Sequence, residues 1–377
     1  MILRKWIGFI YNAERKLHSV RTYLLLGYTS NLERNDKKHK LYRGERIMES
    51  SIIFRDLLTE LKLGNLTVNP QRVSGGYMHK MYKLETTTGK YAVKFLNPSI
   101  MKRPDVFQNY QRAEYLENVL QENKIPVVTA MVINGRKMHC IDNQYFYVFE
   151  WINGKVLAWD DIKTEHCKIA GSILAKIHKL GPIEKSFIRE PISINWDTYI
   201  ALAKTQCPTI EAELNSNREL LYHAQKEFNY TLNNIPAVTC ICDGDMDSKN
   251  VLWVNGNPAI IDLECLDYGN PFLEMFQLAL SWSGNVLCRI DYERLKSFII
   301  SYQQEYGDFD FDWNVLYGIG FGWLEWLEYN IKRALMLECE NEEERELGIG
   351  QVHETMERII FYNSIKDEML RNLQTMF

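Results

Sequence analysis

The spacing of apolar residues along the chain predicts a first part that is rich in strands. Helical spacing opens the folded region at 51–61. Apolar and polar residues then alternate in short runs at about 67–73, 80–86 and 90–96, which predicts three strands, and the turn Thr86–Gly89 joins the last two as a hairpin.

A helix and two further strands complete this first part. The helix ends near Glu122, and strands are predicted at Val127–Ile133 and Tyr145–Phe149. This order predicts a small antiparallel sheet that carries one helix, an α+β lobe over residues 48–150.

Beyond Gly154, which is the natural hinge, helical periodicity dominates. Helices are predicted at about 169–180, 209–232, 271–282, 291–305, 311–337 and 350–373. Short apolar strands are predicted among them at 237–242, 251–253 and 259–263. We therefore expect a bilobal α+β fold with a larger, mainly helical lobe over residues 151–377.

Composition and charge narrow the classes of function. A chain of 377 residues that is 46% hydrophobic can bury a sizeable core, and its net charge of -5 argues against nucleic acid as the main partner. The eight cysteines form no C-x-x-C pair, which fits a cytoplasmic protein, and Cys240-x-Cys242 is better explained by a buried strand than by zinc. No apolar run reaches the roughly 20 residues that span a bilayer. The sequence does not set the oligomeric state.

The first 47 residues differ from the rest in charge. They carry eleven Lys and Arg against four Asp and Glu, a net +7, which leaves 33 against 45, a net -12, for residues 48–377. Two interpretations stay open. Residues 1–47 are a basic, amphipathic extension, or translation begins at Met48. The acidic body favours a cationic small partner.

Candidate chemistry is concentrated between Asp243 and Glu264. A polar loop holds Asp245 and, five residues on, Asn250, and the next strand ends at Asp262. Phosphoryl transfer needs a carboxylate to orient the attacking hydroxyl and hard oxygen ligands to hold Mg²⁺. The D-x-x-x-x-N spacing followed by a strand-borne Asp matches the kinase catalytic loop and its metal-binding Asp.

A kinase also needs phosphate-binding elements upstream, and the sequence contains candidates for them. Gly75 and Gly76 lie between the first two predicted strands, where glycines let the backbone approach phosphate oxygens. Lys94 lies on the third strand, where it is placed to reach the α- and β-phosphates. A helical glutamate would hold it, and Glu114 is preferred over Glu117.

With these elements in order, the sequence resembles the aminoglycoside phosphotransferase/choline kinase-like family, small-molecule kinases with a protein-kinase-like fold, over about residues 50–377. The resemblance implies ATP and Mg²⁺ as cofactors, with GTP not excluded. It also implies Asp245 as catalytic base and Asn250 and Asp262 as magnesium ligands. The segment Tyr145–Gly154 is similar to the adenine-binding linker, which implies that the backbone of Phe149–Trp151 meets the purine.

Two positions depart from the family pattern. Asp243 stands where the family usually has His, so we expect weaker support of the loop or a raised pKa of a neighbouring carboxylate. Asn270 precedes Pro271 where Asp is commoner. The first departure motivates an alternative function, a catalytically silent binding or structural protein. Protein kinase activity is disfavoured because no A-P-E segment follows the Asp262 motif.

Two further interpretations concern bound ligands. A calcium loop over the Asp243 region fails because Ser248 occupies the sixth position and Val254 the twelfth. For the acceptor, Trp323–Tyr329 mixes aromatic rings with carboxylates, which suits an amine through cation–π and ion-pair contacts, although helix packing explains the same pattern. We expect a small acceptor of the amino-sugar or amino-alcohol type.

Overall fold

The structure, a computed structural model, describes residues 53–73, 79–181, 190–307, 309, 312–339 and 341–377. Backbone contacts among them cluster into two units. We call residues 53–106 and 129–153 the sheet unit, and residues 107–128 and 154–377 the helical unit. The chain enters the helical unit at Phe107, returns to the sheet unit at Thr129 and enters the helical unit again at Gly154.

The sheet unit is built on one antiparallel sheet with the strand order β1-β2-β3-β5-β4. The strands are β1 (Gln71–Val73), β2 (Lys80–Glu85), β3 (Lys90–Phe95), β4 (His139–Ile141) and β5 (Gln144–Glu150). Two helices accompany them, α1 over 53–60 and the short α2 (Pro98–Met101). Residues of β2, β3 and β5 lie where the alternating pattern predicts them.

Strand β3 shows how alternation sorts side chains between the two faces of the sheet. Val93 and Phe95 pack into the apolar core against Phe54 and Leu57 of α1. Successive residues of a strand point to opposite faces, so Lys94 points away from this core, although it is only 5% exposed. In the ladder, Lys94 stands opposite Tyr147 of β5.

The prediction of a strand at Val127–Ile133 is wrong. The Val128 N–H donates to the Ile260 carbonyl at 2.8 Å, whereas the Met131 N–H donates to the Val148 carbonyl at 2.8 Å. Because the segment bonds to two different partners, it forms no continuous ladder. The strand of this sheet that the pattern missed is β4, which pairs with β5.

The helical unit consists of eleven described helices and four short strands. The helices are α3 (Val106–Glu122), α4 (Thr164–Lys179), α5 (Trp196–Gln206), α6 (Pro208–Ser216), α7 (Arg218–Asn234), α8 (Pro271–Trp282), α9 (Tyr292–Tyr306), α10 (Trp313–Tyr317), α11 (Leu324–Ala334), α12 (Glu342–Ser364) and α13 (Lys366–Met376). Strand β6 (Cys240–Cys242) pairs with β9 (Asp267–Gly269), and β7 (Val251–Val254) pairs with β8 (Asn257–Ile260).

Three helices predicted as continuous are interrupted. The segment 350–373 divides at Ile365 into α12 and α13. The segment 209–232 divides at Asn217 into α6 and α7. The segment 311–337 divides into α10, a 3₁₀ turn over Gly318–Phe321, and α11. Glycine is required in this turn, since a Cβ on Gly320 would lie 2.1 Å from the Tyr362 ring.

Close packing between α4 and α9 forms part of the core of the helical unit. A Cβ on Gly171 of α4 would lie 2.3 Å from the Phe298 carbonyl oxygen of α9, so the two helices approach to backbone contact there. Among the helices described, none combines the length and apolarity needed to cross a bilayer.

Candidate active site

The loop that follows β6 carries three carboxylates, all more than nine-tenths buried: Asp243, Asp245 and Asp247. Gly244 makes the turn possible. Its φ is +84°, and a Cβ there would lie 2.7 Å from the Cys265 carbonyl oxygen. The Asp245 N–H donates to Asp243 Oδ1 at 3.2 Å, which ties the start of the loop to itself.

The structure brings Asp245, Asn250 and Asp262 together. Asn250 Nδ2 donates to the carbonyl oxygen and to Oδ2 of Asp245, both at 2.8 Å. A 3₁₀ turn over Ser248–Asn250 makes this contact possible across five residues. The Ile261 N–H donates to the Asn250 carbonyl at 2.9 Å, which places Asp262 beside the same loop. Asp262 itself adopts a left-handed conformation, with φ +66°.

Burial and neighbouring charges perturb these carboxylates. Burial raises the pKa of Asp245 to about 7; Lys249, whose Nζ lies 3.2 Å from Asp245 Oδ1, opposes the rise, while the charges of Asp247 and Asp262 add to it. Burial, together with the charge of Glu274, holds the pKa of Asp243 well above its ordinary value. A carboxylate that titrates near neutral pH is suited to accept a proton there.

A buried hydrogen-bond chain supports this loop from behind. Glu274 Oε1 accepts from the Gly244 N–H at 2.7 Å, and Glu274 Oε2 lies 2.8 Å from His178 Nε2. His178 Nδ1 lies 2.8 Å from the Tyr302 hydroxyl. None of these residues has a role predicted from the sequence. The available signal was a single carboxylate in the otherwise apolar start of α8.

Asn270, the second departure from the family pattern, caps α8. Its Oδ1 accepts from the N–H of Phe272 at 3.0 Å and of Leu273 at 3.4 Å, and its Nδ2 donates to the Pro236 carbonyl at 2.7 Å. An asparagine side chain therefore satisfies the first turn of the helix that carries Glu274.

A cleft in the helical unit opens beside Asp245. The loop residues Asp245 and Asp247 form one side, one face of α8 forms another, and the segment 319–323 faces them. Of the predicted amine-binding segment, Trp323 lines the cleft, whereas Trp326 is buried and donates to Gln351 Oε1 at 3.3 Å. Most of that segment is therefore helix packing.

The predicted nucleotide-binding residues are distributed as follows. Lys94 and Phe149 lie on paired strands of the sheet unit. The Trp151 N–H donates to the Lys90 carbonyl at 3.0 Å, so this amide is already used within the sheet. On α3, Glu114 is half-buried and Glu117 is buried. Gly75 and Gly76 lie outside the described residues.

One cluster of soft ligands lies behind the loop. Ligand atoms of His178, Cys240 and Cys242 all fall within 4.8 Å of one another. Both ring nitrogens of His178 are engaged by Glu274 and Tyr302, and burial raises the pKa of the Cys242 thiol well above its ordinary value. A metal would need a free imidazole nitrogen and thiolates, so this cluster fits core packing better than a metal site.

The family of the chain follows from comparison with known proteins. Residues 70–319 match the phosphotransferase enzyme family. Comparison with curated protein sequences finds no match.

Three similar solved structures are described as one phosphotransferase and two kinases. A spectinomycin phosphotransferase in complex with ADP and spectinomycin has a TM-score of 0.63 at 14% identity, covering 82% of this chain and 98% of its own. An amicoumacin kinase in complex with AMP-PNP and Ca²⁺ has a TM-score of 0.54 at 14% identity, and the match covers 84% of this chain and 95% of the kinase. A microcompartment-associated aminopropanol kinase has a TM-score of 0.51 at 14% identity, and the match covers 81% of this chain and 95% of the kinase. At such low identity the likeness concerns the fold, and it confirms the predicted α+β, kinase-like fold.

Proposed function

Because the chain belongs to the phosphotransferase enzyme family, we propose how its residues divide the work of an ATP-dependent kinase that phosphorylates a hydroxyl of a small molecule. The main support for this proposal is the buried hydrogen bond between Asp245 and Asn250 beside an open cleft. Nothing in the comparisons favours the alternative of a silent scaffold.

Asp245 is the catalytic base. Its carboxylate accepts the proton of the acceptor hydroxyl while that oxygen bonds to the γ-phosphorus, and the bond from the γ-phosphorus to the β–γ bridging oxygen breaks to release ADP. Two contacts hold the carboxylate for this step, the Asn250 amide on Oδ2 and the Lys249 ammonium near Oδ1. Positioning and charge neutralisation supply most of the rate in such reactions.

Asn250 and Asp262 are the residues that would hold Mg²⁺. The donor set fits the ion: Asn250 directs its Nδ2 at Asp245, which leaves the amide oxygen for a cation, and Asp262 adds a carboxylate. Hard oxygen ligands are those that Mg²⁺ prefers. When bound, the ion neutralises charge on the transferred phosphoryl group. The ADP complex and the AMP-PNP and Ca²⁺ complex of the similar structures support the use of ATP with a divalent ion.

Residues 48–150 supply the nucleotide-binding lobe and 151–377 the catalytic lobe. Lys94 contacts the phosphates, and its burial on β3 supports a directed role over that of a solvated edge residue. Gly75, Gly76 and the pairing of Lys94 with Glu114 stay predictions of the sequence. Since the Trp151 N–H is engaged by Lys90, the purine uses other backbone groups around Phe149.

The acceptor carries an amine. Asp245, Asp247 and Glu274 line the cleft, and no Lys or Arg is among the described residues that line it. Lys249 is shared by Asp245 and Asp247, with its Nζ 3.2 and 3.9 Å from their carboxylate oxygens, and Glu274 adds a third carboxylate, so the acidic excess of the lining favours a cationic acceptor. The similar structures include a spectinomycin phosphotransferase and an aminopropanol kinase, both named for small molecules. All eight cysteines are free thiols, which supports a cytoplasmic location.

The test is transfer by the full chain to a panel of amino sugars, amino alcohols and sugars, measured as acceptor-dependent ADP release. We expect Asp245→Ala to abolish transfer while Mg²⁺-ATP still raises the melting temperature of the variant. Near-normal transfer by that variant would refute the assignment. As a matched control, Asp312→Ala removes an exposed carboxylate at the start of α10 and should leave transfer unchanged.

A further inference from the structure

The chain around Asp262 is anchored on its N-terminal side to the residues that follow α3. The Ile260 N–H donates to the Pro126 carbonyl at 2.7 Å, and the Ile260 carbonyl accepts from the Val128 N–H at 2.8 Å. Helix α3 ends at Glu122, shortly before these two partners. The backbone of Ile260 is therefore fixed on both its donor and its acceptor side, two residues before Asp262.

The same part of the chain is anchored on its C-terminal side to α3 itself. Arg112 Nη1 lies 2.8 Å from Asp267 Oδ1 and 2.9 Å from Asp267 Oδ2. The two side chains are 26% and 12% exposed, so salt and water screen this ion pair only in part. Asp267 Oδ1 also accepts from the Tyr268 N–H at 2.8 Å, which orients the carboxylate. The segment 260–267 is thus held at both ends by α3 and the residues that follow it.

Between these two anchors, Asp262 adopts a backbone conformation that is uncommon for a residue with a Cβ. Its φ of +66° lies in the left-handed region. Such conformations persist where the surrounding structure determines them, and they are concentrated at functional sites. A 3₁₀ turn over Leu263–Cys265 leads from Asp262 to Asp267. Because this connection is short and turned, a displacement of Asp267 also displaces Asp262.

Asp267 also lies at the base of the loop that follows β6. In the ladder between β6 and β9 it pairs with Cys242, the last residue of β6. The Cys265 carbonyl packs against the same loop, since a Cβ on Gly244 would lie 2.7 Å from its oxygen. An anchor at Asp267 therefore fixes the segment 260–267 relative to the loop that carries the catalytic base.

We propose that Arg112 is a positioning residue for the metal site, which acts through Asp267 to hold the Asp262 carboxylate where it can bind Mg²⁺ together with Asn250. Removing the guanidinium leaves both metal ligands in the chain but releases the segment 260–267 at one end. Replacing a residue that orients a metal ligand typically weakens metal binding by about 10- to 100-fold. This inference rests on the proposed role of Asp262 as a magnesium ligand.

The experiment measures the binding of Mn²⁺, which takes the same oxygen ligands as Mg²⁺, to the full chain saturated with ADP. The readout is the loss of the EPR signal of the free ion, corrected for ADP alone. Arg112→Met should raise the dissociation constant of Mn²⁺ about 10-fold. Arg112→Lys keeps a cation for Asp267 and should stay within about 3-fold of the wild type. The affinity for ADP without a divalent ion should be unchanged in both variants.

A second variant tests the same contact from its other side. Asp267→Ala should weaken Mn²⁺ binding about as much as Arg112→Met, and the double variant should bind no more weakly than either single one, because both remove one interaction. Asp267→Ala leaves the more exposed partner without its ion pair, so it makes the test even where Arg112→Met does not fold. Far-UV circular dichroism shows which variants are folded.

Arg218→Met is the matched control. Arg218 of α7 forms an ion pair of the same kind with Asp197 of α5, and its Nη2 lies 2.8 Å from Asp197 Oδ2. Its loss should leave the binding of Mn²⁺ and of ADP unchanged. Wild-type Mn²⁺ affinity in Arg112→Met, additive losses in the double variant, or an equal loss of metal-free ADP binding overturns the inference and leaves the proposed function intact. A wild-type chain that binds no Mn²⁺ with ADP and phosphorylates no member of the acceptor panel refutes the proposed function, and the inference with it.

Discussion

Replacing Asp245 by Asn should abolish transfer and, at neutral pH, stabilise the fold. Burial raises the pKa of Asp245 from the ordinary 3.8 to about 7. Between these values the folded state binds the proton more tightly than the unfolded state, so the free energy of unfolding falls as the pH rises through this window. About three pH units at about 1.4 kcal/mol each give about 4 kcal/mol at pH 7 and above. Asn is neutral at every pH and avoids this cost.

The assay is urea unfolding of both proteins without Mg²⁺ or nucleotide at pH 4.5 and pH 7.5. The stability difference in favour of Asp245→Asn should be small at pH 4.5 and should grow by roughly 3–4 kcal/mol at pH 7.5. Asp312→Asn, at an exposed helix N-cap, controls for a general effect of the substitution and should show no such growth. An equal difference at both pH values would show that Asp245 carries no raised pKa.

Three further predictions concern groups that support the loop and the packing. Glu274→Ala removes the acceptor of the Gly244 N–H, so kcat should fall about 10-fold or more with the KM for ATP unchanged in steady-state assays; a rise in KM alone would contradict this role. In the wild type, Arg112 Nη1 lies 2.8 and 2.9 Å from the two carboxylate oxygens of Asp267. Arg112→Met removes these hydrogen bonds and should lower the free energy of unfolding in urea by about 2–3 kcal/mol. An unchanged midpoint of urea unfolding would contradict this. Gly171→Ala forces α4 from α9 and should cost about 1–3 kcal/mol, whereas a more stable variant would show that the helices can separate freely.

Local patterns were sufficient to predict most of the sheet. Strands β2, β3 and β5 alternate apolar and polar residues because one face of the sheet packs on α1. This alternation can be recognised in the sequence alone. The pattern failed at Val127–Ile133, whose apolar residues are extended but bond to two different partners. It also failed over 311–337, where a 3₁₀ turn separates two helices and Gly320 lies against the Tyr362 ring, a neighbour that periodicity cannot reveal.

The candidate site divides in the same way. Asp245, Asn250 and Asp262 lie within 18 residues, so their spacing alone predicted the cluster. Glu274 and His178 come from α8 and α4, 96 residues apart, and their hydrogen bond depends on tertiary packing. Sequence motifs therefore could not predict that Glu274 and His178 support the loop.

Glu328 shows that the sequence also could not identify which carboxylates face the acceptor. In the sequence it stands beside aromatic residues as a candidate partner for an amine. In the structure its Oε1 accepts from the Tyr199 hydroxyl at 2.6 Å and lies 2.9 Å from Lys332 Nζ. A carboxylate that already has a cation and a hydroxyl gains little from a ligand. The acidic side chains that line the cleft come instead from the loop and α8.

The aspartate at position 243 is compatible with an active loop for an electrostatic reason. A family histidine would offer a neutral ring with a hydrogen-bond donor, whereas an ionised carboxylate would offer only acceptors. Burial and the nearby Glu274 hold the pKa of Asp243 well above its ordinary value, and so favour the protonated carboxyl, which is neutral and carries a donor. Its Oδ1 still accepts the Asp245 N–H. Asp243 thus gives the loop that carries Asp245 a neutral hydrogen-bonding group, and Glu274 supplies a second support through Gly244.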